Sequence, residues 1–327
     1  MTATLRVLAI DTAWVPGQFA ICEFNLPDGL LKLEMDSCSN DASSVAQTNL
    51  ESGVQGDRAA IDLLCGYSRE LSSTQRSTST LIPEIKTGLS ELGWKIDSIG
   101  LFVATKGPGS FTGLRIGVTT VKTLAYATDA HVVGVNSLDL LAASYLHENY
   151  SESECEKQLL SIMDAQRNEL YCSSYRVHVR DNLRETGRRD AGTTEVNRTP
   201  RCDDDRCAAI EFPLFLRNRE NSWTSPPKSL RRHELPKRPF TLDEVRAMAT
   251  PENSIICCNE RKLFERLANV FTSLYVTKTD PIVLALLGAL TKSASDKNFF
   301  RLQPEYYRQS AAEEKLAQNS TANPNRC

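Results

Sequence analysis

One pattern is written twice in this chain. LRVLAIDTAWVPGQFAICEF, from Leu5 to Phe24, and LLSIMDAQRNELYCSSY, from Leu159 to Tyr175, each run as a β-rich stretch, an aspartate where that stretch stops, a turn, and a second β-rich stretch. Asp11 and Asp164 hold equivalent places in the two copies. The second stretches, FAICEF and Glu169 to Val177, predict that each copy is a hairpin. At 327 residues the chain can hold two domains of ordinary size, and 41% hydrophobic residues suffice for their cores.

Each hairpin is followed by helices and further strands. In TLIPEIKTGLSELGW, Thr80 to Trp94, the residues Leu81, Ile85, Leu89 and Leu92 make an amphipathic stripe, with Pro83 in the first turn. SIGLFVAT reads as a strand, and TGLRIGVTTVKTLAYA, Thr112 to Ala127, as a helix with Leu114, Val118, Val121 and Ala125 on one face. HVVGVN is a buried strand and Ser137 the N-cap of the helix after it. In the second half TLDEVRAM carries a capping box, Thr241 with Glu244, ahead of the strand SIICC and the helices RKLFERLANVF and DPIVLALLGALTKSA. Two polar segments interrupt this order, about 36–79 and 180–240; the stretch AAIDLLCGY in the first stays unassigned, and the mildly basic second reads as a surface excursion.

A duplicated hairpin with an acidic residue at each first-strand end points to an α/β, two-lobed fold of the actin, sugar kinase and Hsp70 type, RNase H-like in its sheets. The division falls at 1–128 and 129–327, with a disordered tail from about 309. In such a fold Asp11 and Asp164 would face a cleft and steer a metal-bound nucleotide; the alternative for each is a carboxylate that accepts turn N–H groups.

Other classes receive less support. A formal charge of −3 gives no global pull toward nucleic acid or an anionic membrane. No apolar run spans a bilayer, and MTATLRVLAID enters a strand pattern at once rather than a leader pattern, so the cytoplasm is expected. Ten scattered cysteines without a C-x-x-C pair read as reduced thiols; Cys202 and Cys207 would be only half of a zinc site, so no metal is expected.

The loop KGPGSFTGLRIG, Lys106 to Gly117, lies between strand and helix where a backbone must approach something closely. Its spacing matches neither the Walker loop nor G-x-G-x-x-G, and Pro108 removes a donor. Gly109, Gly113 and Gly117 recur every four residues, so Gly113 and Gly117 form a bare strip on the helix. Because mid-helix glycine costs about 1 kcal/mol relative to alanine, the pair calls for close packing, either on a strand of the same domain or on a partner's helix.

LAIDTA, KGPGSFTGLRIG, GVNSLDLLA, MDAQRNELY and LQPEYYRQ stand in the order seen in the TsaB family, also called YeaZ, which the chain resembles outside the two insertions. The motif loop Gly107, Pro108, Gly109, Ser110, Phe111, Thr112 and Arg115 is the most specific element of that resemblance. It implies a noncatalytic scaffold for TsaD, the transferase that places a threonylcarbamoyl group on tRNA adenosine, with TsaE joining the complex and tRNA met indirectly. It also implies that TsaD docks on first-lobe helices, here through Leu81, Ile85, Leu89, Gly113, Gly117 and Lys122, and it leaves a homodimer open when TsaD is absent.

TsaD-like enzymes hold a metal with H-x-x-x-H on a helix; the four histidines here, His131, His147, His178 and His233, never show that spacing. After Asp11–Thr12, where the family usually carries small hydroxyl residues, this chain has AWVPGQ, a poor setting for phosphate. No cofactor is therefore expected, and Asp11 and Asp164 would be vestigial. The rival reading is an active small-molecule kinase or ATPase using both aspartates; a metallopeptidase stands third.

Overall fold

A computed structural model of the chain describes residues 3–26, 60–72, 77–149, 157–179, 210–213, 216–217, 222–224, 228–233, 235–250, 253–291 and 299–308. Its strands are β1 (Ala3–Asp11), β2 (Gln18–Leu26), β3 (Ala60–Glu70), β4 (Leu101–Gly107), β5 (His131–Asn136), β6 (Gln158–Asp164), β7 (Leu170–Val179), β8 (Ile210–Pro213), β9 (Leu216–Arg217), β10 (Ser222–Thr224), β11 (Lys228–His233), β12 (Ser254–Cys258) and β13 (Leu274–Val276). Its helices are α1 (Ser77–Glu91), α2 (Phe111–Thr128), α3 (Ser137–Asn149), α4 (Leu242–Met248), α5 (Arg261–Leu267) and α6 (Pro281–Leu290).

Among the described residues two sheets form, ordered β5-β4-β1-β2-β3-β10-β9 and β13-β12-β6-β7-β11-β8. The duplication is visible in their pairing. β1–β2–β3 and β6–β7–β11 are antiparallel runs, and β4–β5 and β12–β13 continue parallel from β1 and β6. β1 lies inside its sheet and buries both faces. Leu5, Val7 and Ala9 join the inner core, Leu8 and Ile10 the outer one, as the two-residue period of a strand requires. β6 does the same, with Leu159 and Met163 inward and Leu160 and Ile162 outward.

The result is five layers. α1 and α2 cover the outer face of the first sheet, α4 and α5 the outer face of the second, and α3 and α6 fill the space between the sheets. α3 is buried continuously from Ser137 to Leu146, and α6 almost throughout, because each has protein on opposite sides. The chain interlocks: α6 follows the second sheet's β13 yet packs on β1, β2 and β4.

Several sequence expectations need correction. β5, which follows the expected lobe boundary at 128/129, pairs with β4 in the first sheet. AAIDLLCGY, from its second residue Ala60 onward, forms the body of β3, antiparallel to β2 along an apolar neighbour. The segment 180–240 is not wholly an excursion: β11 pairs with β7 and buries Leu230, β8 pairs with β11, and β9–β10 extend the other sheet through β3. α1 begins at Ser77, which puts Pro83 inside the helix. Asn136, not Ser137, caps α3, its Oδ1 accepting the Leu138 N–H at 2.9 Å. The Thr241–Glu244 capping box forms as read. Cys22, Cys65, Cys172, Cys257 and Cys258 are free thiols. Cys202, Cys207 and the tail from 309 lie outside the described residues.

Candidate functional site at the junction of the lobes

The motif loop leaves β4 at Gly107 and enters α2 at Phe111, where Ser110 caps the helix by accepting the Gly113 N–H. Its glycines make close approaches to the strap and to the β1–β2 turn. A Cβ on Gly107, at φ +128°, would lie 2.2 Å from the Glu305 carbonyl oxygen. One on Gly113 would lie 1.9 Å from the Thr12 carbonyl oxygen, and one on Gly117 2.4 Å from Thr12 Oγ1. The glycine strip therefore seats the helix on the β1–β2 turn. Two hydrogen bonds close that seam, Ser110 N–H to Ala13 O at 2.8 Å and Thr12 Oγ1 to Gly113 O at 2.7 Å. The Ser110 N–H that a phosphate cradle would need is already engaged.

Asp11 sits at the end of β1 with 1% exposure. Its carboxylate accepts bonds from Thr105 Oγ1 (2.9 Å), Thr279 Oγ1 (3.0 Å), the Ala13 N–H (3.2 Å) and Gln18 Nε2 (3.3 Å). Gln18 Nε2 also reaches Thr279 O and Oγ1, both at 2.7 Å, tying the hairpin to the start of α6. Burial pushes the Asp11 carboxyl above its ordinary range against the pull of these donors. Asp164 is half-buried at the end of β6, accepting the Gln166 N–H and pairing with Arg266 at 3.3 Å. Each aspartate serves its own turn. Among the described residues no group of three or more His, Cys, Asp or Glu is placed to hold a metal.

A C-terminal strap, residues 302–308, crosses the motif loop. Glu305 donates its N–H to Lys106 O at 2.6 Å, and its carboxylate pairs with Lys106 at 2.9 Å and Lys237 at 3.1 Å. Burial opposes that charge, but the two lysines outweigh it and hold Glu305 below its ordinary range. Tyr306 stacks on Phe111 at 4.3 Å and accepts from Arg115 Nε at 3.0 Å, while Arg115 also lies over the Phe111 ring. Tyr307 is buried, accepting from Asn136 Nδ2 at 2.9 Å and meeting Tyr171 edge-on. Arg308 donates to Ala165 O at 2.6 Å and pairs with Glu169. Thr112, at the same end of α2, is exposed.

The residues expected to meet a partner divide. Leu81, Ile85 and Leu89 lie in the outer core against the first sheet, so their stripe is spent inside the molecule. Lys122 is half-buried on α2, and Tyr126, one turn further, is 73% exposed. Ile82 is the exposed apolar residue of α1. The polar residues of this junction that the sequence did not single out are Thr12, Gln18, Thr279, Asp139 and Arg232. Their pairings are long-range, and no local spacing announces them.

The family model described as TsaD, tRNA N6-adenosine threonylcarbamoyltransferase, matches residues 71–316. A Bacillus subtilis protein named tRNA threonylcarbamoyladenosine biosynthesis protein TsaB is 35% identical over 94 residues, 29% of this chain and 38% of that protein. Its Escherichia coli namesake is 29% identical over 98 residues, 30% of this chain and 40% of that protein. This chain belongs to that family, as a TsaB (YeaZ) member. The chain spans about two-fifths of the length of the curated relatives it matches. A Pseudomonas aeruginosa crystal structure, described as an uncharacterized protein with similarity to peptidase YEAZ, superposes with a TM-score of 0.50 at 15% identity, covering 93% of this chain and 100% of that one, and shows the shared fold.

Proposed function

We propose that this chain is a noncatalytic subunit in tRNA threonylcarbamoyladenosine biosynthesis, which binds the TsaD transferase through the outward faces of α1 and α2. TsaE joins through the assembled complex, and tRNA is met there rather than by this chain alone. The observation that carries the noncatalytic reading is the closed Asp11 site: at 1% exposure, with four donors on its carboxylate, Asp11 has no free oxygen to steer a metal-bound nucleotide. The absence of an H-x-x-x-H pair in the sequence supports the same reading. Since the glycine strip and the Leu81–Ile85–Leu89 stripe are spent internally, the partner surface is the opposite side, with Ile82, Lys122 and Tyr126.

Co-expression with the organism's own TsaD followed by size-exclusion chromatography is expected to give a co-eluting complex. Tyr126→Glu and Ile82→Asp, at exposed positions, should leave melting of the free chain within a degree or two and weaken TsaD binding by tenfold or more. Titration of the free chain with Mg-ATP should release no heat. Normal TsaD affinity in both variants would move the interface elsewhere; saturable Mg-ATP heat lost in Asp11→Asn would return the chain to the nucleotide-using enzymes.

A further inference from the structure

The strap touches both lobes with the same residues. Glu305 pairs with Lys106 at the end of β4 and with Lys237 ahead of α4; Tyr307 bonds Asn136 at the end of β5 and meets Tyr171 of β7. Other strap residues add contacts to one lobe or the other. Leu302 packs against Gly134, where a Cβ would come within 2.4 Å of it, and Tyr306 lies on Phe111 and Arg115, all in the first lobe. Arg308 reaches the second-lobe turn, at Ala165 O and Glu169. Beneath Tyr307 lies a polar cluster of the second lobe: Asp139 of α3 accepts from Tyr175 OH at 2.6 Å and pairs with Arg232 of β11 at 3.2 Å, and Arg232 also meets Tyr307.

In a two-lobed fold with a cleft, closure is commonly supplied by a ligand that contacts both walls. Here the cleft carboxylate is consumed by Gln18, Thr105 and Thr279, and the element that contacts both walls is a piece of the chain. We propose that residues 302–308 are an interlobe clamp, which fixes the motif loop against the second-lobe turn and whose release loosens both together. This goes beyond TsaD binding and does not depend on it. The motif loop opens α2, so the clamp couples the stance of that helix to contacts made on the far lobe.

The test uses Arg308→Met, because Arg308 anchors the strap to the second-lobe turn through Ala165 O and Glu169. Hydrogen exchange of the full chain, read by mass spectrometry, follows the peptides covering 105–112 and 164–170, with β1 and β12 as controls. The clamp predicts that exchange at 105–112, including the Ser110 N–H held by Ala13 O, rises at least threefold in Arg308→Met, in step with 164–170, while the controls stay put. Faster exchange confined to 164–170 and the strap, or no change in either segment, overturns the proposal. Glu305→Gln, which keeps shape but removes both lysine pairings, provides the same reading should Arg308→Met fold poorly; again both segments must loosen together or the clamp is refuted.

Discussion

A methyl group on Gly117 would stand 2.4 Å from the Thr12 hydroxyl oxygen, with its next neighbour, Ile10, at an ordinary 3.7 Å. Overpacking of that kind costs about 1–3 kcal/mol, against about 1 kcal/mol gained by alanine in a helix. Gly117→Ala should therefore destabilise the chain by up to about 2 kcal/mol in urea unfolding, and Thr12→Ala, which deletes the clashing oxygen, should restore most of that loss. The four corners of the cycle must be non-additive by about 1 kcal/mol; simple additivity would mean that Thr12 is not what the glycine accommodates. Asp11 and Asp164 give a second comparison at this scale. Asp11→Ala leaves the Thr105 and Thr279 hydroxyls facing a vacated acceptor, while Gln18 keeps its bonds to Thr279, at about 1–3 kcal/mol for each buried group left unsatisfied. Asp164→Ala, half-buried beside Arg266, should cost about 0–1 kcal/mol. The pH dependence has a definite sign: burial raises the folded Asp11 pKa above 3.8, so its contribution is fullest below the unfolded value and is lost as pH rises through the folded one. The Asp11→Ala deficit should grow toward acid, and equal losses at both aspartates would indicate matching roles after all.

Elements announced by their own periodicity were legible. The Leu81–Ile85–Leu89 stripe gave α1 its buried face, the duplicated strand–Asp–turn pattern gave both hairpins, and Thr241 with Glu244 gave the start of α4. What such a stripe cannot say is which protein it is buried against. Leu81 packs on the chain's own sheet, and only the sheet's outer face, made of Leu8 and Ile10 from β1 with Ile21 from β2, explains why. Asn136 and Ser137 are both good caps, and the choice turned on register: Asn136 ends β5 in the extended conformation that a cap requires. β3 was obscured because its strand partner, β2, lies some forty positions earlier, and a polar neighbourhood hid a run whose stability comes from pairing. The strap was visible only as a family sequence. Its contacts, from Glu305 to Lys106 and from Tyr307 to Asn136, join residues far apart in the chain, and no spacing rule reaches across that distance.

For the molecule as a whole, the second polar segment is the part most misjudged by composition, since one excursion supplies strands to both sheets: β8 and β11 to the second, β9 and β10 to the first. β8 and β9 run antiparallel to β11 and β10, so the segment crosses from one lobe to the other as paired strands, parallel in purpose to the strap on the opposite side of the sequence. Removing 181–238 would take away the β11 edge that covers β7, where Val177 is buried, and the Arg232 guanidinium that neutralises Asp139. Burial pushes Asp139 upward while Arg232 and Tyr175 draw it down, so the carboxylate depends on that cation. Arg232→Met alone should cost about 3–5 kcal/mol, the usual loss when one partner of a buried pair is removed. Adding Asp139→Asn, which keeps an acceptor for Tyr175 but drops the charge, should recover most of it. The deletion should fare worse than Arg232→Met, because it loses a strand as well as a charge, and the protein should be recovered largely unfolded or insoluble. A 181–238 deletion that melts with the parent, or an Arg232→Met loss that Asp139→Asn fails to relieve, would show that the segment is a passive appendage and that the lobes are joined by α3, α6 and the strap alone.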